Sequence, residues 1–285
     1  MTTGPITHVS DTARWVAMYR AMETDRPDAL FRDPYARRLA GEKGAEILKT
    51  MRNVRSWAWP HIVRTAVFDD FVLGCVQQGA DAVLNLAAGL DARAWRLDLP
   101  PALTWYNVDY PDMLSYVREQ LVAEQPRCVL RWEPADLADD GQRRALFAEV
   151  AAAHKKVLVV SEGLLIYLGA ERAAALADDL HARSTFWRWA FDIASPRLLK
   201  MMRRGTRRQM AQGNAEFLFA PAENTAFFTP HGWKELEFRG SMAEAIRLKR
   251  LPLLYNLFRP LGLLRSRKSR EEWNRFAGCA LMERA

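Results

Sequence analysis

Cysteine is scarce in this chain, and long apolar runs are missing. The three cysteines, Cys75, Cys128 and Cys279, lie far apart on apolar-looking segments of a 285-residue sequence. That number and spacing exclude a disulfide framework and a cysteine-based metal site. The expectation is buried, reduced thiols in a cytoplasmic protein without a metal. No apolar run approaches the roughly 18–20 residues of a membrane span. Residues 1–11 lack an apolar signal-peptide core, so no secretory leader is expected. Glycine is sparse at one telling place. "NLAAGLDARAWRL" (85–97) looks like a turn built for a nucleotide, yet it holds one glycine where dinucleotide loops use three.

The bulk composition is that of a globular protein able to bury a substantial core, with 49% hydrophobic and 26% charged residues. The net charge of +7 is unevenly spread, because 17 Lys and Arg face 7 Asp and Glu between Arg197 and Arg275. Such a surplus suits nucleic acid, a membrane surface or an acidic substrate, but no nucleic-acid motif interleaves with it, and no nucleic-acid partner is expected. An ordinary solvated surface is the plainer reading.

The middle of the chain alternates two textures. "DAVLNLAA" (81–88), "TWYNVD" (104–109), "CVLRWEP" (128–134), "KVLVVSEG" (156–163) and "FWRWAFDIA" (186–194) read as buried strands. Helical stretches at 111–125, 141–154 and 169–184 lie between them. Strands alternating with helices imply right-handed βαβ units, hence a doubly wound α/β fold with a mostly parallel sheet. Ahead of it, residues 10–60 read as helices, with Ser10 or Asp11 as N-cap, Pro34 in a first turn and Gly41 past an end. The tail is less regular and ends in a strand-like "FAGCALME" (276–283).

In such a sheet, ligands bind beyond the carboxyl ends of the strands. The 85–97 loop falls there. Losing two glycines matters less when the ligand has no pyrophosphate, as with a nucleoside carrying an aminoacyl tail such as S-adenosylmethionine. Asp109 follows Gly89 by 20 residues, the place for an acid that accepts from ribose hydroxyls. It can instead cap the following helix. Asp136, with Leu137, and Glu162 end the next two strands. Four strands thus end in a glycine or carboxylate on one edge, which a shared site explains.

These residues, in this order and spacing, resemble the leucine carboxyl methyltransferase family, in its bacterial branch with the carboxyl methylases of polyketide biosynthesis. The resemblance runs over roughly 10–195. It rests on "DTARWVAMYRAMETDRPDALFRDPYARRLAG" (11–41), "VRTAVFDDF" (63–71), "NLAAGLDARAWRL", "YNVDYP" (106–111), "PADL" (134–137) and "SEGLLIYL" (161–168). It implies a Rossmann-like methyltransferase sheet with S-adenosyl-L-methionine as cofactor. A single domain over 1–285 is expected, with a helical cap (1–60), a cofactor-binding core (61–195) and a substrate-shaping region with the final strand (196–285). The resemblance gives Arg64 the cofactor carboxylate, with Arg14 as a second cation near it. It gives Gly89 the first loop, Asp109 the ribose, Asp136 and Leu137 the adenine, and Glu162 the methionine portion. Ala87 departs from the family's "LGAGLD", and Ala92 from its usual Thr or Ser.

The activity this implies is O-methylation of a small molecule such as a secondary metabolite, on a carboxylate or a hydroxyl. A carboxylate is already ionised and needs no base, whereas a hydroxyl calls for one. His231 is the candidate base and His61 a second histidine to weigh, with surface or packing roles as their alternatives. Phe227, Phe228 and Trp233 suit either an acceptor pocket or the core. The basic stretch 246–268 suits a lid, a membrane or carrier-protein contact, or an exposed segment. Methylation of a protein C-terminus, an inactive methyltransferase-like binding module and a nicotinamide-dependent oxidoreductase are the alternatives; the missing glycines weigh against the last.

Overall fold

The computed structural model describes residues 9–50, 54–210, 216–252 and 266–285. Three helices come first: α1 (Val9–Thr24), α2 (Ala36–Thr50) and α3 (Val54–Gln77). Ser10 and Asp11 lie inside α1 rather than before it, so neither is the expected cap. Gly41 does end a helical run. Its φ of 63° breaks α2 into two pieces, a conformation that glycine adopts without a Cβ penalty.

The alternating part follows as β1 (Ala82–Leu86), α4 (Arg93–Arg96), β2 (Thr104–Asp109), α5 (Pro111–Gln120), β3 (Val129–Pro134), α6 (Asp140–Ala153), β4 (Val157–Ser161), α7 (Ala170–His181) and β5 (Phe186–Ala194). Every residue of β1 and β4 is buried, as their unbroken apolar runs require of central strands covered on both faces. Pro111 opens α5 at its first turn, and the Asp139 side chain caps α6 by accepting from the N–H groups of Gly141 and Gln142.

The chain continues through α8 (Pro196–Met210), a 3-10 turn (Asn224–His231), β6 (Trp233–Gly240), α9 (Ser241–Arg247), α10 (Arg267–Asn274) and β7 (Ala277–Arg284). One seven-stranded sheet results, in the order β3-β2-β1-β4-β5-β7-β6. β1 to β5 are parallel, and β7 runs antiparallel to both β5 and β6. β6 has no counterpart in the sequence reading; its "WKELEFRG" carries three exposed positions and lies at the sheet edge, where burial leaves little pattern. Two apolar cores sandwich the sheet, one under α1–α3 and one under α6, α7 and the aromatic cluster Trp189, Phe191, Phe228 and Trp233. α3 runs across residue 60, joining the cap to the core. The three cysteines are buried and free.

The tail's basic surplus is partly consumed inside the fold. Arg250 is buried against Glu23, with Nη2 at 2.7 Å from its carboxylate, and Arg247 pairs with Glu244 at 2.6 Å. Residues 253–265 of the basic stretch lie outside the described residues. Among those described, no helix is long and apolar enough to cross a membrane.

Candidate active site

The parallel register brings the predicted acids to one edge. Leu86 lies beside Val108, Asp109 beside Pro134 and Ser161 beside Phe191, so the chain leaves β1 to β5 at neighbouring points. Directly after β1 the backbone turns through two left-handed residues, Ala87 (φ 51°) and Gly89 (φ 53°). Gly89 suits that conformation. Ala87 carries strain of about 1–2 kcal/mol, since its Cβ crowds the backbone there. The departure from the family pattern therefore falls on a position whose geometry favours glycine.

Asp109 organises the turn. Its carboxylate accepts the Gly89 N–H at 2.7 Å and the Tyr110 N–H at 2.7 Å. Burial raises its pKa above the ordinary carboxylate value, and these two N–H bonds oppose that rise. Asp136 accepts from the Ala138 N–H at 2.9 Å and from the Tyr110 hydroxyl at 3.2 Å. Tyr110 thus bridges the ends of β2 and β3, with a ring 52% exposed. Leu137 packs against the core beside it. Tyr110 escaped sequence reading because it stands in a turn with no periodic pattern.

Around the end of β4 the acid is doubly clamped. One Glu162 oxygen takes the Nε of Arg64 at 3.0 Å, and the other takes Nη2 of Arg93 at 2.8 Å. Despite burial, which opposes ionisation, the charges of Arg93 and Arg64 pull Glu162 down to about 2. Arg64 also reaches Asp192, at 3.0 Å, and Asp192 accepts the Gly163 N–H. The same attraction raises the Arg64 pKa against its desolvation.

Arg93 continues the network inward. It pairs with Asp91 of the loop and with Asp69 of α3, each at 2.7 Å, and Asp69 in turn meets Arg96 at 2.6 Å. Asp69, Arg93, Arg96 and Asp192 were not singled out from sequence. "VRTAVFDDF" and "LDARAWRL" contain the first three, but nothing local marks an arginine as buried until its acids arrive from other elements.

Arg14 and His231 have partners of their own. Arg14 donates to the Tyr116 hydroxyl at 2.8 Å and to the Ala40 carbonyl at 3.2 Å, which ties α1 to α5 and α2. His231 holds Asp178 at 2.7 Å. Asp178 lies near the end of α7, where that helix has run back to the edge at which the strands begin. β6 starts there too, since Trp233 pairs with Arg284 and Glu283 with Arg188 at the start of β5. His231 is therefore not among the residues gathered with Glu162. Phe228 and Trp233 are fully buried in the core.

The leucine carboxyl methyltransferase family profile matches residues 13–181. The chain belongs to this family. A relative from Mycobacterium avium (strain 104), provisionally named an S-adenosyl-L-methionine-dependent methyltransferase, is 36% identical over 192 residues, covering 62% of this chain and 61% of its own. A second, similarly named, from Mycolicibacterium paratuberculosis is 37% identical over 178 residues, covering 58% and 59%. The chain thus spans about three fifths of the length of these curated relatives. Among solved structures, a DUF574 family protein from Streptomyces avermitilis superposes with a TM-score of 0.62 at 13% identity, covering 96% of this chain and 97% of its own. A protein from Thermobifida fusca, provisionally described as a methyltransferase, gives 0.59 at 14%, covering 98% and 96%. At that identity they bear on the fold: a Rossmann-like methyltransferase sheet.

Proposed function

We propose that this family member is an S-adenosyl-L-methionine-dependent O-methyltransferase acting on a carboxylate of a small molecule. The donor set at the carboxyl edge suits that cofactor better than a dinucleotide. The loop carries Ala87 and Ala88 where a pyrophosphate-binding loop carries glycines. Asp109 keeps lone pairs for ribose hydroxyls beyond those taken by two N–H groups. The exposed Tyr110 ring, Asp136 and Leu137 offer a flat face, a carboxylate and an apolar wall to an adenine. Arg64, with its Nε on Glu162 and its Nη1 on Asp192, would offer its Nη2 to an amino-acid carboxylate. When bound, the cofactor supplies a methyl group on a positively charged sulfur, open to in-line displacement.

The observation that favours a carboxylate acceptor is electrostatic. Two titratable groups beside Arg64 are held far from neutrality: Glu162 at about 2 by its arginines, and His61 at about 3 by burial and by Arg64. Neither takes a proton from an alcohol near pH 7. An acceptor oxygen that arrives already ionised needs no such help. The chain's remaining work is alignment and exclusion of water, for which α1 lies over the loop; Arg20 of α1 donates to the Leu90 carbonyl at 2.5 Å.

Calorimetry with S-adenosylhomocysteine tests the cofactor assignment, and transfer of labelled methyl to panels of organic acids and phenols tests the acceptor class. A folded protein that binds no S-adenosylhomocysteine would sink the reading; methylation of phenols alone would sink the carboxylate.

A further inference from the structure

Two polar atoms beneath the helical cap are buried with no hydrogen-bond partner beyond their close approach to each other. The Trp15 indole nitrogen and the Tyr19 hydroxyl neighbour one another, yet among the described residues neither has a hydrogen-bond partner of sound geometry. Tyr19 is 0% exposed. The two residues stand one turn apart on α1. Both rings pack on the His61 imidazole of α3, with centroids 5.4 Å (Trp15) and 5.3 Å (Tyr19) away. Native proteins satisfy most buried polar groups, so an orphan pair beside a candidate site points to a ligand that completes it.

We propose that Trp15, Tyr19 and His61 form the subsite that receives the carboxylate of the methyl acceptor, a small organic acid with an apolar body. This rests on the methyltransferase reading above. The donor chemistry selects the ligand: indole only donates, a phenol hydroxyl donates, and a neutral imidazole donates through one nitrogen. Three such groups call for a ligand rich in lone pairs. Arg64 stands one turn after His61 with its Nε on Glu162 and its Nη1 on Asp192, so its charge is largely answered and the neutral donors carry the selection. Position agrees as well. α1 borders the cofactor loop, where a Cβ on Gly89 would meet Ala13 at 3.5 Å, and Arg64 reaches Glu162 and Asp192 on the strand ends. Met22, Leu30, Phe31 and Ile62 pack with Tyr19 in one apolar cluster, against which the body of such an acid would lie.

The test uses Tyr19→Phe and Trp15→Phe in the full chain. Each is first titrated with S-adenosylhomocysteine, then, with that ligand bound, with benzoate, hexanoate and the neutral benzyl alcohol, following both heat of binding and Tm. Without acceptor, Tyr19→Phe is expected to hold or raise Tm, since it removes an orphan hydroxyl. S-adenosylhomocysteine affinity should stay within about twofold of wild type in both variants. At least one carboxylate should protect the wild type saturably, with affinity falling about tenfold or more in each variant, the loss expected for a hydrogen bond to a charged group. Benzyl alcohol should not protect. A lower Tm in Tyr19→Phe would mean that Trp15 and Tyr19 satisfy each other, and would overturn the subsite. So would carboxylate protection equal in all three proteins, or none in a wild type that binds S-adenosylhomocysteine. Failure of the wild type to bind S-adenosylhomocysteine would instead remove the function beneath it. Failure of Tyr19→Phe to fold is the limiting case of a lower Tm and would overturn the subsite as well.

Discussion

The Gly89 N–H donates to the Asp109 carboxylate at 2.7 Å, so the two residues the sequence assigned to a cofactor are bonded to each other. A single carboxylate thereby shapes the loop after β1 and faces the edge where a ribose would lie. Asp109→Asn keeps the size but has one good acceptor oxygen where the native residue serves two N–H groups. We expect S-adenosylhomocysteine affinity to fall tenfold or more by calorimetry, and stability by about 1–2 kcal/mol in urea unfolding.

Ala87→Gly is expected to stabilise the protein. Relief of the left-handed strain exceeds the added entropy of the unfolded glycine, leaving roughly 0.5–1 kcal/mol in favour of the variant. Calorimetric unfolding should register a Tm higher by roughly 1–3 °C. A lower Tm would mean that the alanine methyl packs favourably enough to offset its backbone.

Glu162 makes acid stability steep. Its pKa is depressed from 4.5 unfolded to about 2 folded, so its contribution is complete above 4.5 and fades as pH falls through 2. The full depression corresponds to about 3 kcal/mol. Glu162→Gln should be less stable than wild type at pH 6, and the gap should close toward pH 2 in denaturant titrations.

His61 acts in a higher window. Its folded pKa of about 3 lies below the ordinary 6.5, so the folded state binds fewer protons and stability declines as pH drops from 6.5 toward 3. In His61→Gln, the slope of unfolding free energy against pH between 6 and 4.5 should flatten. An unchanged slope would place the imidazole in water.

Arg250 tests whether the basic tail is structural. Glu23 is fully buried and meets Arg250 at 2.7 Å, and it also accepts the Leu30 N–H. Arg250→Met strands that carboxylate and should cost about 3–5 kcal/mol in urea unfolding. Adding Glu23→Gln should return part of the loss, because a neutral amide still accepts from Leu30.

The amino-acid sequence by itself determined the periodic parts of this protein. β2 and β5 match their expected bounds at both ends, because short runs rich in aromatic and β-branched residues between turn residues leave a buried strand few alternatives. The strand-end positions of Gly89, Asp109, Asp136 and Glu162 followed from the same alternation. Tertiary structure alone decided what those groups touch. Burial of Arg93 and Arg96 against Asp69, the clamp on Glu162 and the placing of Asp192 beside Arg64 join residues 24 to 128 positions apart, a separation to which local patterning is blind. It also decided the fate of two histidines: His231 came to the edge at which the strands begin, and His61 was packed against Trp15 and Tyr19 of α1. Short-range propensity selects helix or strand, but pairing of charges and hydrogen-bonding groups is settled only when packing excludes water around them.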